Sequence, residues 1–307
     1  MARPRAVVIG GANVDFKARS RAQITAQTSN PGHASMAPGG VGRNIAENIA
    51  RLGDHVHLVS VVGRDAIGDD LLDHTSAAGV QVEHVARTDQ ATGTYTAVLD
   101  VDGELVVAIS DMAAMRDLGP EQLDDARHVI AAADVLVVDG NLTHQAFNHA
   151  LDLADGVRTI FEPVSVPKAA ALKGAIDDRV YAVTPNREEL SALTDLPTGT
   201  NAQVRAAAAA LHARGVDLVW VRLGKRGSLL SSSDGVVEIP AVAGVVQDVT
   251  GAGDSMLGAF CHLLLGGGTP EEAARFGHAA ASLTIASRHT VRPDLTSRLV
   301  RAALEQE

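Results

Sequence analysis

The sequence predicts an α/β fold in which a doubly wound, mostly parallel sheet carries helices on both faces and a small β lid is added to it. Three observations point there. Short continuous apolar runs recur along the chain, helical patterns separate most of them, and two segments break that rhythm with strand-like character of their own.

The first run, Ala6-Val7-Val8-Ile9, ends in Gly10-Gly11 and has the pattern of a strand buried on both faces. Similar runs stand at residues 58–62, 135–138, 159–161, 180–183 and 218–221. In such a sheet ligands bind beyond the carboxyl ends of the strands. Asn13, Asp139, Asn141 and Asn186 all fall just after apolar runs, so polar groups gather on one rim. Residues 15–37 are too polar for a core helix and too long for a simple connection. Residues 95–100 and 105–109 are β-rich and joined through Asp102-Gly103, a hairpin signal with no crossover helix after it. The chain therefore reads as one domain, 1–307, with lid segments at about 15–37 and 92–112.

Composition narrows the function. With 46% hydrophobic but only 3% aromatic residues among 307, the core is aliphatic, which suits helices packed on a parallel sheet. A formal charge of −11 argues against a nucleic-acid surface, so an anionic ligand must be held by local donors. The one cysteine, Cys261, lies on an apolar helix face and reads as a buried, inert thiol; no intrachain disulfide can form, which fits a reducing cytoplasm. Residues 1–11 carry too short an apolar run for a signal peptide, and no segment approaches the roughly 20 apolar residues of a membrane span.

The chemistry is concentrated in Asp248-Val249-Thr250-Gly251-Ala252-Gly253-Asp254. Leu257, Phe260, Cys261 and Leu264 follow at i, i+3, i+4 and i+7, so the glycine turn opens a helix whose first amides can bind phosphate. Asp254 beside that anion site can take a proton from an attacking hydroxyl. In isolation the same residues also read as a glycine turn with an Asp cap. A second glycine motif, Pro38-Gly39-Gly40-Val41-Gly42-Arg43-Asn44, precedes a helix with Val41, Ile45, Ile49 and Leu52 on its buried face and Gly53 at its end. Between the two motifs lie Asn186-Arg187-Glu188-Glu189 and Leu223-Gly224-Lys225-Arg226-Gly227.

These four motifs, in this order and over nearly the whole chain, resemble those of the PfkB, or ribokinase-like, family of sugar and nucleoside kinases. The resemblance implies a ribokinase-like fold and ATP-dependent phosphorylation of a small-molecule sugar or nucleoside, with Mg²⁺ as cofactor. Asp254 would be the base, and Gly251, Ala252 and Gly253 the anion hole. Asn13, Asp15, Gly39, Gly40, Asn44 and Asn141 would grip the sugar; alone, Asn13 and Asp15 read as turn residues. Asn186, Gly224, Gly227 and His278 would serve ATP, although Gly224 and Gly227 read equally as a hairpin and His278 as a helix-surface histidine. Glu189 would act on Mg²⁺ through water; by itself it is an acid favoured by the helix dipole. Asp248 and Thr250 match candidate K⁺ positions.

Within the family, Ser29-Asn30-Pro31-Gly32 and Ala108-Ile109-Ser110-Asp111-Met112 imply pseudouridine as the acceptor, with Asn30 and Asp111 as candidate base contacts. Ser110 and Glu162 depart from the expected Asn and Asp. A homodimer through the lid edges is a further expectation. The alternatives are a ribokinase or other nucleoside kinase and, from another class, a catalytically silent binding protein. A dinucleotide oxidoreductase is disfavoured because Gly10-Gly11-Ala12-Asn13 lacks the third glycine of that fingerprint.

Overall fold

Alternation along the first strand already supplies both faces of a layered core. Ala6 and Val8 join one buried cluster, Val7 and Ile9 the other, all four with no exposed surface. Burying each of the Val and Ile side chains stabilises the fold by about 1.5–3 kcal/mol relative to leaving it in water. The computed structural model describes residues 5–305, so the start of the 1–11 stretch and the last two residues of the 1–307 domain lie outside it.

The strands are β1 (Arg5–Ile9), β2 (Asn13–Ser20), β3 (Gly32–Gly39), β4 (His55–Gly63), β5 (Gln81–Thr88), β6 (Gly93–Leu99), β7 (Leu105–Asp111), β8 (Val135–Asp139), β9 (Arg158–Glu162), β10 (Ala182–Val183), β11 (Leu218–Arg222), β12 (Ser228–Ser232) and β13 (Gly235–Ile239). Nine form one sheet in the order β13-β12-β11-β10-β9-β8-β1-β4-β5. From β11 to β5 every pair is parallel, and β12 and β13 continue the sheet antiparallel. Helices Val41–Leu52, Ala252–Leu265 and Pro270–Ile285 cover one face, contributing Ile45, Ile49, Leu257 and Phe260 to its core. Helices His144–Leu153, Arg187–Thr194 and Asn201–His212 cover the other through Phe147, Leu190, Leu193 and Leu211. The expected doubly wound, mostly parallel sheet with helices on both faces is the one observed.

The segments at 15–37 and 92–112 fold together as a separate four-stranded sheet, β3-β2-β6-β7. Asp100 closes the hairpin by accepting from the amides of Asp102 and Glu104, each at 2.9 Å. One expectation needs correcting, and one strand lay outside the expectations. The run at 180–183 pairs only at Ala182–Val183, because the Val180 amide closes a turn onto Asp177 instead. The edge strand Gln81–Thr88 was not anticipated, since its half-exposed, polar-rich composition leaves no continuous apolar run. Among the described residues no helix is long and apolar enough to cross a membrane.

Candidate active site

Both glycine motifs end at helix starts on the rim where the parallel strands finish. Gly251 caps the helix Ala252–Leu265 with φ 78°, and a Cβ there would lie 2.0 Å from the Thr290 carbonyl oxygen, so only glycine fits. No side chain caps this helix, which leaves its first amides to an anion. Asp254 stands in the first turn and accepts a hydrogen bond of 2.8 Å from Asn44 Nδ2. The two motifs, 210 residues apart in the chain, are thus joined by one bond. Burial pushes the Asp254 carboxyl up to about 7; Glu162 and Asp139 add to the rise, while Asn44 and Arg222 oppose it. A carboxylate near that value accepts a proton far more readily than an ordinary Asp at neutral pH. Asn44 Oδ1 is buried with no protein partner, an acceptor left for a ligand donor.

Beside Asp254 lies a charge cluster that sequence reading did not identify. Arg222, the last residue of β11, donates to Glu162 at 2.6 Å and reaches Glu189 at 3.5 Å. Glu162 also accepts from the Thr184 hydroxyl at 2.7 Å. Burial pulls the Arg222 guanidinium down, but Glu162 and Glu189 outweigh it and hold it above its ordinary value. Glu189 is raised, first by burial and then by Glu162. Asn186 and Glu189 form a reciprocal capping box, each bond 2.8 Å, at the start of Arg187–Thr194. The Asn-x-x-Glu spacing is itself a capping signature; the ends of β9 and β11 could have flagged Glu162 and Arg222 as rim residues.

Asp139, at the end of β8, is fully buried and ties the upstream loops together. Its Oδ2 accepts from the amides of Gly11 at 2.8 Å and Gly42 at 2.9 Å, and from Asn141 Nδ2 at 2.9 Å. Gly40 has φ 97°, and a Cβ there would lie 2.3 Å from the Gly11 carbonyl oxygen. Asn13 donates to Asp15 at 2.8 Å, and burial raises the Asp15 carboxyl. Strand register sets Asn13 against Gly39 and Gly93, and Thr94 against Asp111, so these residues share one end of the small sheet. Arg43, also missed, is buried behind them and paired with Glu47. Asn30 is not brought to this group. Its amide is spent on its own exposed loop, bonding both the N–H and the carbonyl of Thr25.

A cleft of about 760 Å³ runs from Asp254 and Arg222 past Asn186, Gly224 and Gly227 to His278. His278 is buried rather than on a helix surface, because the helix Pro270–Ile285 turns it toward Ser228. The Ser228 hydroxyl accepts from Trp220 Nε1 at 2.8 Å and pairs with His278 Nε2, 2.7 Å away. Burial, with Arg275 adding, lowers this imidazole to about 4 and keeps it neutral. Asp248 accepts from the Thr250 amide at 2.8 Å, and the Lys17 ammonium lies 3.5 Å from Asp248 Oδ2 and 3.4 Å from Thr250 Oγ1. Lys17 thus brings a positive charge to the pair expected to hold K⁺. Burial raises Asp248, but Thr250 and Lys17 outweigh it and leave the carboxyl below its ordinary value. Cys261 is buried and burial pushes its thiol well up, as expected of an inert cysteine.

Residues 3–297 match the family described as pfkB family carbohydrate kinase. The chain is 32% identical over 302 residues to a pseudouridine kinase of Escherichia coli K12, covering 97% of this chain and 96% of that protein. It is 33% identical over 293 residues to an uncharacterised sugar kinase of the same organism, covering 95% and 81%. The structure of Arabidopsis thaliana ribokinase complexed with ribose and ATP superposes with a TM-score of 0.88 at 27% identity, covering 99% of both chains.

Proposed function

The chain belongs to the pfkB family of carbohydrate kinases, and on that premise we propose that it transfers the γ-phosphoryl group of ATP to the 5′-hydroxyl of pseudouridine. The observation that carries the phosphoryl-transfer reading is the Asp254 carboxyl, raised to about 7 and held by Asn44 in the first turn of a helix that no side chain caps. In the proposed step the acceptor hydroxyl gives its proton to Asp254 while its oxygen bonds to the γ-phosphorus. The bond from that phosphorus to the β-phosphate oxygen breaks, and ADP leaves. The amides of Ala252 and Gly253 face the charge that gathers on the transferring oxygens.

Three carboxylates, Glu162, Glu189 and Asp254, surround the single guanidinium of Arg222, and the surplus acidity fits a divalent cation. Glu162 and Glu189 are the residues that would hold Mg²⁺ through water; bound with the nucleotide, the ion would neutralise phosphate charge. Lys17 already supplies the charge at Asp248 and Thr250, so the proposal assigns K⁺ no role there.

Pseudouridine as acceptor is supported by the 32% identity, over nearly the full length, to the Escherichia coli pseudouridine kinase. Ribose is the second reading, favoured by the likeness to the Arabidopsis ribokinase complexed with ribose and ATP. Met36, Leu105, Val107 and Ile109 expose between 51% and 67% of their surface on the small sheet, which supports a homodimer through that sheet. A cytoplasmic location completes the proposal, supported by the lone buried cysteine.

The test measures ADP release and 5′-phosphate product with pseudouridine, uridine, cytidine, adenosine, ribose and fructose. The reading expects kcat/KM for pseudouridine about 10-fold or more above uridine, because a site built for the extra ring N–H leaves an acceptor unpaired when uridine enters. Preference for another acceptor overturns the substrate and keeps the kinase. No ADP release with any acceptor overturns both in favour of a binding protein.

A further inference from the structure

The amino ends of β4 and β5 carry a histidine cluster that the proposed reaction does not use. His57 on β4 and Glu83 and His84 on β5 each offer one ligand atom, and these three atoms all lie within 4.8 Å of one another. Neighbouring residues of a regular strand point to opposite faces, so Glu83 and His84 would not normally converge on one partner. Here they do, because the ladder is bulged. From His57↔Gln81 to Val59↔His84 the register advances two residues on β4 and three on β5. The extra residue on β5 breaks the alternation at the point where the two ligands are needed.

His57 is buried, and its Nδ1 lies 3.0 Å from Glu83 Oε1. A buried ring nitrogen this close to a carboxylate oxygen makes an ion pair when the ring is protonated, and when it is not the two lone pairs can share a cation. Further imidazoles continue the row on both sides. The centroid of His55 is 4.8 Å from that of His57, that of His84 is 5.7 Å from His57, and that of His128 is 5.2 Å from His84.

We propose that His57, Glu83 and His84 bind one divalent transition-metal ion, with zinc as the occupant. Two imidazoles and one carboxylate are a zinc donor set that leaves a fourth position for water or for His55. Imidazole nitrogen suits zinc, nickel and copper, whereas Mg²⁺ and Ca²⁺ prefer all-oxygen sites, so this centre is chemically distinct from the nucleotide's metal. It lies at the opposite ends of the parallel strands from Asp254. Bound there, the ion would clamp the edge strand β5 to its one neighbour, β4.

The test uses tag-free, chelator-treated full-length protein. Co²⁺ is titrated while its visible absorption is followed, Zn²⁺ is used to displace it, and bound metal is counted after equilibrium dialysis. The expected result is one ion per chain, an affinity lowered about 10-fold or more in both Glu83→Gln and His84→Gln, and ADP release by these variants equal to that of the parent. Glu83 is exposed, so its variant keeps the fold even if changes at buried His57 do not. No stoichiometric binding overturns the proposal. So does binding unaffected by Glu83→Gln and His84→Gln, or binding lost instead in Glu162→Gln, which would move the ion to the catalytic rim.

Discussion

Along β1 and β8 of the nine-stranded sheet the residues from Ala6 to Ile9 and from Val135 to Val138 are buried on both faces. On β7 of the four-stranded sheet Leu105, Val106, Val107 and Ile109 expose 56%, 53%, 51% and 67% of their surface. The first sheet commits its side chains to the fold and so holds its rim rigidly, which is where Asp139, Glu162, Arg222 and Asp254 meet. The second leaves apolar area uncommitted. Charge chemistry needs fixed distances in a dry setting, and only the doubly covered sheet supplies both. Contact with a partner or an acceptor needs surface that the fold has not already used.

The sharpest way to break that contrast is at Asp254, the proposed base. Asp254→Asn should lower turnover by about 10²- to 10⁴-fold with the fold retained, measured by ADP release. The same change carries a stability signature of opposite sign. The folded carboxyl titrates near 7, above its ordinary 3.8, so keeping it ionised costs stability above pH 7 and nothing below pH 3.8. Asp254→Asn removes that cost: its Tm should exceed the parent's by a few degrees at pH 8, with the gap closing by pH 4. A variant that keeps half of the parental turnover would remove Asp254 from the role of base.

Next in size is the ion cluster. Arg222→Met leaves Glu162 and Glu189 buried without their counter-charge, and the cost should be about 3–5 kcal/mol in denaturant unfolding. A loss near that of a surface mutation would mean that the rim is wetter and looser than the contrast requires. On the small sheet the expected effects are different in kind. Ile109→Lys should leave monomer stability within about 0.5 kcal/mol, as surface changes do, while light scattering shows the dimer falling to a monomer. A parent that is already monomeric would show that this exposed face serves something else. The smallest effect belongs to Asn30→Ala, whose amide closes its own loop. It should change kcat/KM for pseudouridine by about twofold or less, and a larger change would bring the loop into the acceptor site.

Much of this is legible in the sequence. Apolar runs of both-face character located six strands, because a buried parallel strand has no polar face to disguise it. The helix after Gly251 was readable from Leu257, Phe260, Cys261 and Leu264, all buried as their spacing required. Strand β5 was not readable, since an edge strand half in water, with Glu83 and His84 adjacent, has neither a continuous apolar run nor a clean alternation. The loop bonds of Asn30 were not readable for a related reason: a polar loop residue looks the same in sequence whether it faces a ligand or its own backbone.

By itself, the sequence determined the layered α/β architecture, the two glycine turns and the place of Asp254 in the first turn of a helix, because local periodicity and backbone sterics act over a few residues. Only the tertiary structure decided that Asn44 touches Asp254 across 210 residues, that Asp139 joins three loops, and that Arg222 gathers Glu162 and Glu189. It also decided that a bulge turns Glu83 and His84 toward His57. Each of these depends on where distant strands end relative to one another, and that is set by the packing of the whole sheet rather than by any one segment.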